Sequence, residues 1–189
     1  MRVGLYGGSF DPVHRGHLLV AEAALEELGL DRLVFIPAFQ SPFKPDVKPV
    51  EGARRLRWLR LALAGQTRCR VDSMELKRGG ASYTIDTVRE FGRCHPGAML
   101  FLLIGADQLA QLPLWREAEA LATLVEFVVI PRPGAPVVSL PGRYRIHPLR
   151  GWFVDISSSE IRRRIRVGLP VHHLLPGEVA QDIAGDSPY

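Results

Sequence analysis

Arg2-Val3-Gly4-Leu5-Tyr6-Gly7-Gly8-Ser9-Phe10-Asp11-Pro12-Val13-His14-Arg15-Gly16-His17 begins with a short apolar run, turns at two glycines and passes into a helical pattern. The run Arg2 to Tyr6 predicts a buried strand. From about Val13 to Leu28, Leu18, Leu25 and Leu28 recur among alanines, and Gly29 stops the pattern, which predicts a helix. Outward from this strand–turn–helix unit the alternation continues. Strands are predicted at Leu33 to Ile36, Arg70 to Leu76, Met99 to Ile104, Phe127 to Ile130 and Trp152 to Ile156. Helices are predicted at Ala53 to Ala64, Tyr83 to Phe91, Glu117 to Leu124 and Ser158 to Val167. Strands alternating with helices, several of them apolar throughout, imply a parallel sheet covered on both faces. The expected fold is therefore α/β, a Rossmann-like doubly wound sheet forming one domain over 1–189, with a small helical tail at 168–189. In such folds ligands bind beyond the carboxyl ends of the strands.

The bulk properties bound the class. The chain has 189 residues, 47% of them hydrophobic and 23% charged, which fits a globular core. The longest apolar run, Ala98 to Ala106, is too short to span a bilayer. Met1 to Phe10 is mildly apolar but is interrupted by Asp11 before a signal-peptide core can form. A cytoplasmic location without membrane attachment is the expectation. Cys69 and Cys94 form no C-x-x-C pair, so no zinc site or disulfide framework is supported. The net charge is +4, carried almost entirely by arginine and densest at Arg162, Arg163, Arg164 and Arg166. Such a balance suits nucleic acid or phosphorylated small molecules. With no basic stripe interleaved with aromatics, the small-molecule reading leads and nucleic acid is not expected.

Two segments carry chemistry. In the first, Gly7 and Gly8 let backbone N–H groups approach an anion. Asp11-Pro12 reads as a helix start, with Asp11 as cap. His14 and His17 are three apart and share a helix face, with Gly16 leaving room beside them. Two imidazoles at a helix N-terminus suit phosphate oxygens. Either histidine alone would be ordinary surface; the whole string after a strand is not. It matches neither a Walker A loop nor a G-x-G-x-x-G fingerprint. The second segment is Ile156-Ser157-Ser158-Ser159-Glu160-Ile161-Arg162. Ser157 and Glu160 have capping-box spacing, Ile161 and Ile165 can face the core, and Arg162 and Arg166 share another face. Serine hydroxyls, a helix N-terminus and a guanidinium can hold polyphosphate; an ordinary solvated basic helix is the alternative. Lys44, on a proline-rich loop from Phe39 to Gly52, means little alone.

Taken together, these residues resemble a known family. Gly8 to His17 resembles the H-x-G-H signature of the nucleotidyltransferase superfamily, and Ile156 to Arg162 resembles its I-S-S-T/S-x-I-R signature. Ser82-Tyr83-Thr84-Ile85-Asp86-Thr87, Ile104-Gly105-Ala106-Asp107-Gln108-Leu109 through Leu112 and Trp115, and Arg132-Pro133-Gly134 resemble the bacterial nicotinate-nucleotide adenylyltransferases. The resemblance spans residue 3 to about 183. It implies transfer of AMP from ATP to nicotinate mononucleotide, giving deamido-NAD and pyrophosphate in NAD biosynthesis. By it, His14, His17, Lys44 and Arg162 would be catalytic. Gly8, Ser9, Phe10, His14, His17, Gly105, Asp107, Ile156, Ser157 and Arg162 would meet ATP. Lys44, Ser82, Tyr83, Thr84, Trp115 and Arg132 would meet the second substrate, with Trp115 stacked on its pyridine ring. Mg²⁺ would arrive with ATP, without dedicated protein ligands. Two departures stand out: Phe43 replaces the histidine of a P-P-H-K loop, and Asp182 stands where the family often has tyrosine. No family-like oligomer contact is therefore carried over, and monomer and homo-oligomer both stay open. A nicotinamide-mononucleotide enzyme, a pantetheine-phosphate adenylyltransferase and a non-catalytic nucleotide-binding protein remain alternatives.

Overall fold

A computed structural model of the chain describes residues 1–43, 46–132, 134, 140–151 and 154–189. The elements are β1 (Arg2–Gly8), α1 (Arg15–Glu27), β2 (Arg32–Pro37), α2 (Gly52–Ala62), β3 (Cys69–Val71), α3 (Met74–Arg78), α4 (Thr84–Cys94), β4 (Met99–Gly105), α5 (Ala106–Leu109), a 3₁₀ turn (Leu112–Leu114), α6 (Ala118–Leu124), β5 (Val125–Ile130), β6 (Ile146–Pro148), α7 (Ser158–Arg166) and α8 (Gly177–Gly185). The six strands form one sheet in the order β3-β2-β1-β4-β5-β6, and every pairing is parallel. Tyr6 of β1 lies between Phe35 of β2 and Leu103 of β4. The strand order reverses direction between β1 and β4, which opens a crevice at their carboxyl ends. Gly8 and Gly105 end those two strands.

Strand period two distributes the apolar residues to both faces. On one face Tyr6, Leu33, Phe35, Phe101, Leu103, Val128 and Ile130 pack with residues of α1, α2, α7 and α8. On the other Val3, Leu5, Val34, Ile36, Leu100, Leu102, Ile104 and Phe127 pack with residues of α3, α4 and α6. This two-sided burial is why the strands read as continuous apolar runs. Residues 168–189 contain α8, which lies on α2 and sends Val179 and Ile183 into the first core. Asp182 on α8 accepts a hydrogen bond from Trp58 Nε1 at 2.8 Å and pairs with Arg57 at 2.9 Å. The residue that departs from the family pattern thus makes a contact within the chain.

Three sequence expectations are corrected. The Arg70 to Leu76 strand stops at Val71, and Met74–Arg78 is helical; Asp72 Oδ1 accepts from the Met74 N–H at 2.9 Å, and this local bond starts the turn. Among the described residues the last strand is Ile146–Pro148, and Val154 to Ile156 of the expected Trp152 to Ile156 strand do not form one. Residues 154–157 are irregular, with Val154 and Asp155 exposed, while Trp152 and Phe153 lie outside the described residues. β6 escapes a pattern search because it is three residues long, on the sheet edge, and ends in proline. Asp11 does not cap α1: the N-cap is His14, and the Asp11 carboxylate accepts instead from the Tyr189 hydroxyl at 2.7 Å.

Phe127, at 0% exposure, sits between β4 and β6 in the second core. Phe127→Ala is expected to cost about 3–5 kcal/mol of stability, read from the denaturant midpoint at unchanged slope.

Candidate active site

The loop after β1 is built around Phe10. Its backbone is left-handed, φ 48°, a conformation costly for a side chain with a Cβ and tolerated where surroundings over-determine it. The ring, 1% exposed, packs edge-on against His17 with centroids 5.0 Å apart and meets Tyr6 and Phe35. Phe10 therefore supports the histidine from below, so of this residue only the backbone can meet a ligand. Arg55 of α2, also 1% exposed, donates to the carbonyls of Ser9 at 2.7 Å, Ala38 at 2.8 Å and Val50 at 2.7 Å. One buried fork thus ties the loops after β1 and β2 together. Sequence reading missed Arg55; the available signal was an arginine sharing a helix face with Trp58 and Leu59 at spacings of three and four.

His14 and His17 lie stacked, 3.7 Å between ring centroids. The His14 backbone N–H donates to His17 Nδ1 at 3.1 Å. That bond makes Nδ1 the acceptor, so the proton of the neutral His17 ring sits on Nε2. Burial, helped by the Arg132 guanidinium, pushes the His14 pKa down to about 4. His17 lies well below its ordinary value through burial, then His14, then Arg132. Both rings are therefore neutral hydrogen-bonding groups at pH 7. Gly16 suits this packing, since a Cβ there would lie 3.0 Å from His14 Nδ1 and press the imidazole aside by a few tenths of an ångström.

The second segment joins the first by direct contact. The Ser158 hydroxyl donates to the Pro12 carbonyl at 2.9 Å. Arg162 Nη1 donates to the Asp11 carbonyl at 2.7 Å, and Nη2 donates to Ser159 Oγ at 3.2 Å. Ser157 caps α7 by accepting the Glu160 N–H at 3.2 Å. The reciprocal half of the expected capping box is not made: both Glu160 oxygens take Arg163, each at 2.7 Å, because a bidentate guanidinium pair is a stronger partner than one amide.

Across the crevice, Asp107 in the first turn of α5 pairs with Arg132 at 3.1 Å, both more than half exposed. Gly105 leaves the space that the Asp107 carboxylate occupies. The two residues assigned to ATP and to the second substrate thus touch each other, with Arg132 close enough to influence both histidines. Tyr83 caps α4 and Thr84 opens it. Ser82 Oγ accepts from the Phe39 N–H at 3.0 Å, and the Ser82 N–H donates to the Gln40 carbonyl at 2.8 Å. Trp115 is half-buried against the second core, and its indole N–H has no hydrogen-bond partner among the described residues. Phe43, exposed, approaches it at 6.2 Å between centroids, and Arg116 covers the Tyr83 ring at 4.8 Å. Lys44 lies outside the described residues. A groove of about 700 Å³ runs beside α4 at the amino end of β4, the opposite end of the strands, and takes no part in this arrangement.

Comparison with known proteins gives the family and the fold. The cytidylyltransferase-like family matches residues 5–164. A protein of Opitutus terrae named "Probable nicotinate-nucleotide adenylyltransferase" is 44% identical over 179 residues, covering 93% of this chain and 91% of that protein. One of the same name from Thermus thermophilus is 44% identical, covering 95% and 94%. The solved structure of Plasmodium falciparum nicotinic acid mononucleotide adenylyltransferase complexed with NaAD superimposes with a TM-score of 0.84 at 17% identity, covering 100% of this chain and 97% of the other. At that identity the likeness establishes the fold.

Because the folded His14 binds its proton less readily than the unfolded chain does, acid selectively favours unfolding. Between pH 6.5 and about 4 the unfolded state holds the extra proton, so stability falls as pH falls through this window. In denaturant titrations across it, His14→Gln is expected to flatten the acid loss by up to about 3 kcal/mol relative to the parent. Parallel curves for the two proteins would rule out a buried neutral His14.

Proposed function

The chain belongs to the cytidylyltransferase-like family and, within it, to the nicotinate-nucleotide adenylyltransferases, and on that premise we propose that it transfers AMP from ATP to nicotinate mononucleotide, releasing pyrophosphate and deamido-NAD. The observation that carries this reading is the meeting of the stacked His14–His17 pair with the N-terminus of α7 and Arg162 beside the β1–β4 crevice. A phosphate oxygen of the mononucleotide attacks the α-phosphorus of ATP in line. The bond from that phosphorus to the bridging oxygen breaks, and pyrophosphate leaves with the electron pair. The attacking group is an anion near neutral pH, so the reaction needs alignment and charge neutralisation rather than a covalent intermediate or a strong base.

The roles follow from the chemistry of each group. His17 Nε2–H donates to the reacting phosphate and His14 to its neighbour. Arg162 neutralises charge growing on the departing phosphates and the Ser157 hydroxyl donates to them, with Lys44 as a second cation. Backbone amides of Gly8, Ser9 and Phe10 line the phosphate side. Asp107 takes the ribose, with Gly105 and Ile156 bordering the nucleoside. Arriving with ATP rather than on a dedicated protein site, Mg²⁺ would supply further charge neutralisation. That fits the donor set, since Asp11 is engaged by Tyr189 and Asp107 by Arg132. No cluster of three metal-ligating side chains occurs among the described residues. Among them, too, no helix is long and apolar enough to cross a membrane; a cytoplasmic location, where ATP is supplied, goes with the same reading.

For the acceptor, the donors near the pyridine position are the first amides of α4, beside Tyr83 and Arg116. Donors favour a carboxylate, whereas a carboxamide would leave its own N–H groups unmet, at about 1–3 kcal/mol each. The decisive experiment is pyrophosphate release with nicotinate and nicotinamide mononucleotides at saturating ATP and Mg²⁺. The nicotinate form should be preferred about ten- to a hundredfold in kcat/KM; equal values would reject the nicotinate assignment and leave the adenylyl transfer standing. A second test separates two neighbouring arginines. Arg162→Ala should lower kcat/KM for ATP by about 10²–10³. Arg163→Ala, which breaks an exposed ion pair on the outer face, should change it less than about twofold. Equal effects would return α7 to an ordinary solvated helix.

A further inference from the structure

The Asp11 carboxylate is buried, 5% exposed, in the loop that leads to the histidines. A buried charge has to be met within the chain. The Tyr189 hydroxyl donates to its Oδ1 at 2.7 Å. Arg162 Nη1 stands 3.9 Å from its Oδ2, beyond hydrogen-bond reach. Arg55 lies close enough to feel the same charge, but its Nε and Nη1 are engaged by the carbonyls of Val50, Ser9 and Ala38. The choice made by Arg162 needs a cause. A guanidinium bonds a carboxylate roughly twice as strongly as a neutral acceptor. Here Nη1 donates to the Asp11 backbone carbonyl at 2.7 Å and Nη2 to Ser159 Oγ at 3.2 Å. Both acceptors are neutral. Arg162 is thus fixed in direction without giving its charge to a directly bonded carboxylate.

We infer that Tyr189 is a positioning residue for Arg162: by donating to Oδ1 it satisfies the Asp11 carboxylate and leaves the guanidinium to the phosphates of ATP. The inference rests on the proposed function, in which Arg162 meets those phosphates, and deepens it by adding a residue that acts from outside the crevice. The position of the hydroxyl is set by α2 and α8. Asp182 takes Trp58 and Arg57, and Arg54 pairs with Asp186 at 3.1 Å. The Tyr189 ring lies 6.2 Å from that of Trp58 and packs against the first core. Without the hydroxyl, Oδ1 loses its donor. Charge-assisted N–H···O bonds form at about 2.7–2.9 Å, so a movement of about 1 Å would bring Arg162 onto the carboxylate. The guanidinium would leave the backbone carbonyl, and its charge would be neutralised before ATP arrives.

The test is a double-mutant cycle on kcat/KM for ATP, at saturating nicotinate mononucleotide and Mg²⁺, with the parent, Tyr189→Phe, Arg162→Ala and the double variant. Tyr189→Phe keeps the ring beside Trp58 and removes only the hydroxyl; thermal melts check folding. It should lower kcat/KM about tenfold in the parent. Added to Arg162→Ala it should cost less than about twofold, because the group it acts through is already gone. Equal losses in the two backgrounds would mean that the hydroxyl secures the loop independently of Arg162, and would overturn the inference. So would a Tyr189→Phe enzyme as active as the parent. If Tyr189→Phe melts too low to assay, equilibrium binding of ATP in the cold gives the same cycle with the same two outcomes. A parent that releases no pyrophosphate would reject the proposed function itself, before any variant is made.

Discussion

Arg162 reaches 151 residues back along the chain to the Asp11 carbonyl, Ser158 reaches the carbonyl of Pro12, and Tyr189 seals the Asp11 carboxylate. The loop between β1 and α1 is thereby held from the far end of the sequence, while Arg55 holds its Ser9 end. These bonds matter because the loop is not a relaxed structure. Phe10 sits in the left-handed region with its ring in the core, and Asp11 is a buried carboxylate. Each is tolerable only when neighbours satisfy or fix it. The same bonds that offset these costs bring α7 beside the histidines, so stability of the loop and assembly of the site are one arrangement.

The electrostatics of that arrangement differ from a simple positive pocket. Burial makes both imidazoles neutral, and the nearby Arg132 deepens the effect. The site therefore combines uncharged, oriented donors with a few guanidinium groups held in defined places. For a reaction limited by alignment this is apt: neutral donors stacked 3.7 Å apart do not repel one another, whereas two imidazolium rings would. Charge neutralisation in the proposed reaction is left to Arg162, Lys44 and the cation that travels with ATP.

On the other side of the crevice a second network has a different builder. Ser82 joins the start of α4 to the segment after β2, and the Thr87 hydroxyl in the first turns of α4 donates to the buried Glu75. Trp115, Phe43 and Tyr83 surround this edge with aromatic surface. The two networks meet in the segment after β2, where Arg55 donates to the Ala38 carbonyl and the Phe39 N–H donates to Ser82.

The alternation of apolar runs with helical periodicity, from Arg2 to Arg166, determined a doubly wound parallel sheet, because burial on both faces leaves a continuous signature in each central strand. The histidine string and the serine–arginine string were legible for the same reason that they work: short, local, and spaced to share a helix end. Where bonding partners lie far apart in sequence, local spacing failed. It made Asp11 a helix cap, though its carboxylate belongs to Tyr189, 178 residues away. It completed a capping box at Ser157, though Glu160 prefers Arg163. It missed β6, too short and too close to a proline to show a period. The burial of Arg55 and Glu75 was invisible because an arginine or glutamate in a helix reads as solvated face. Only tertiary packing decides that these two are buried, and hence that their hydrogen bonds must be made within the chain.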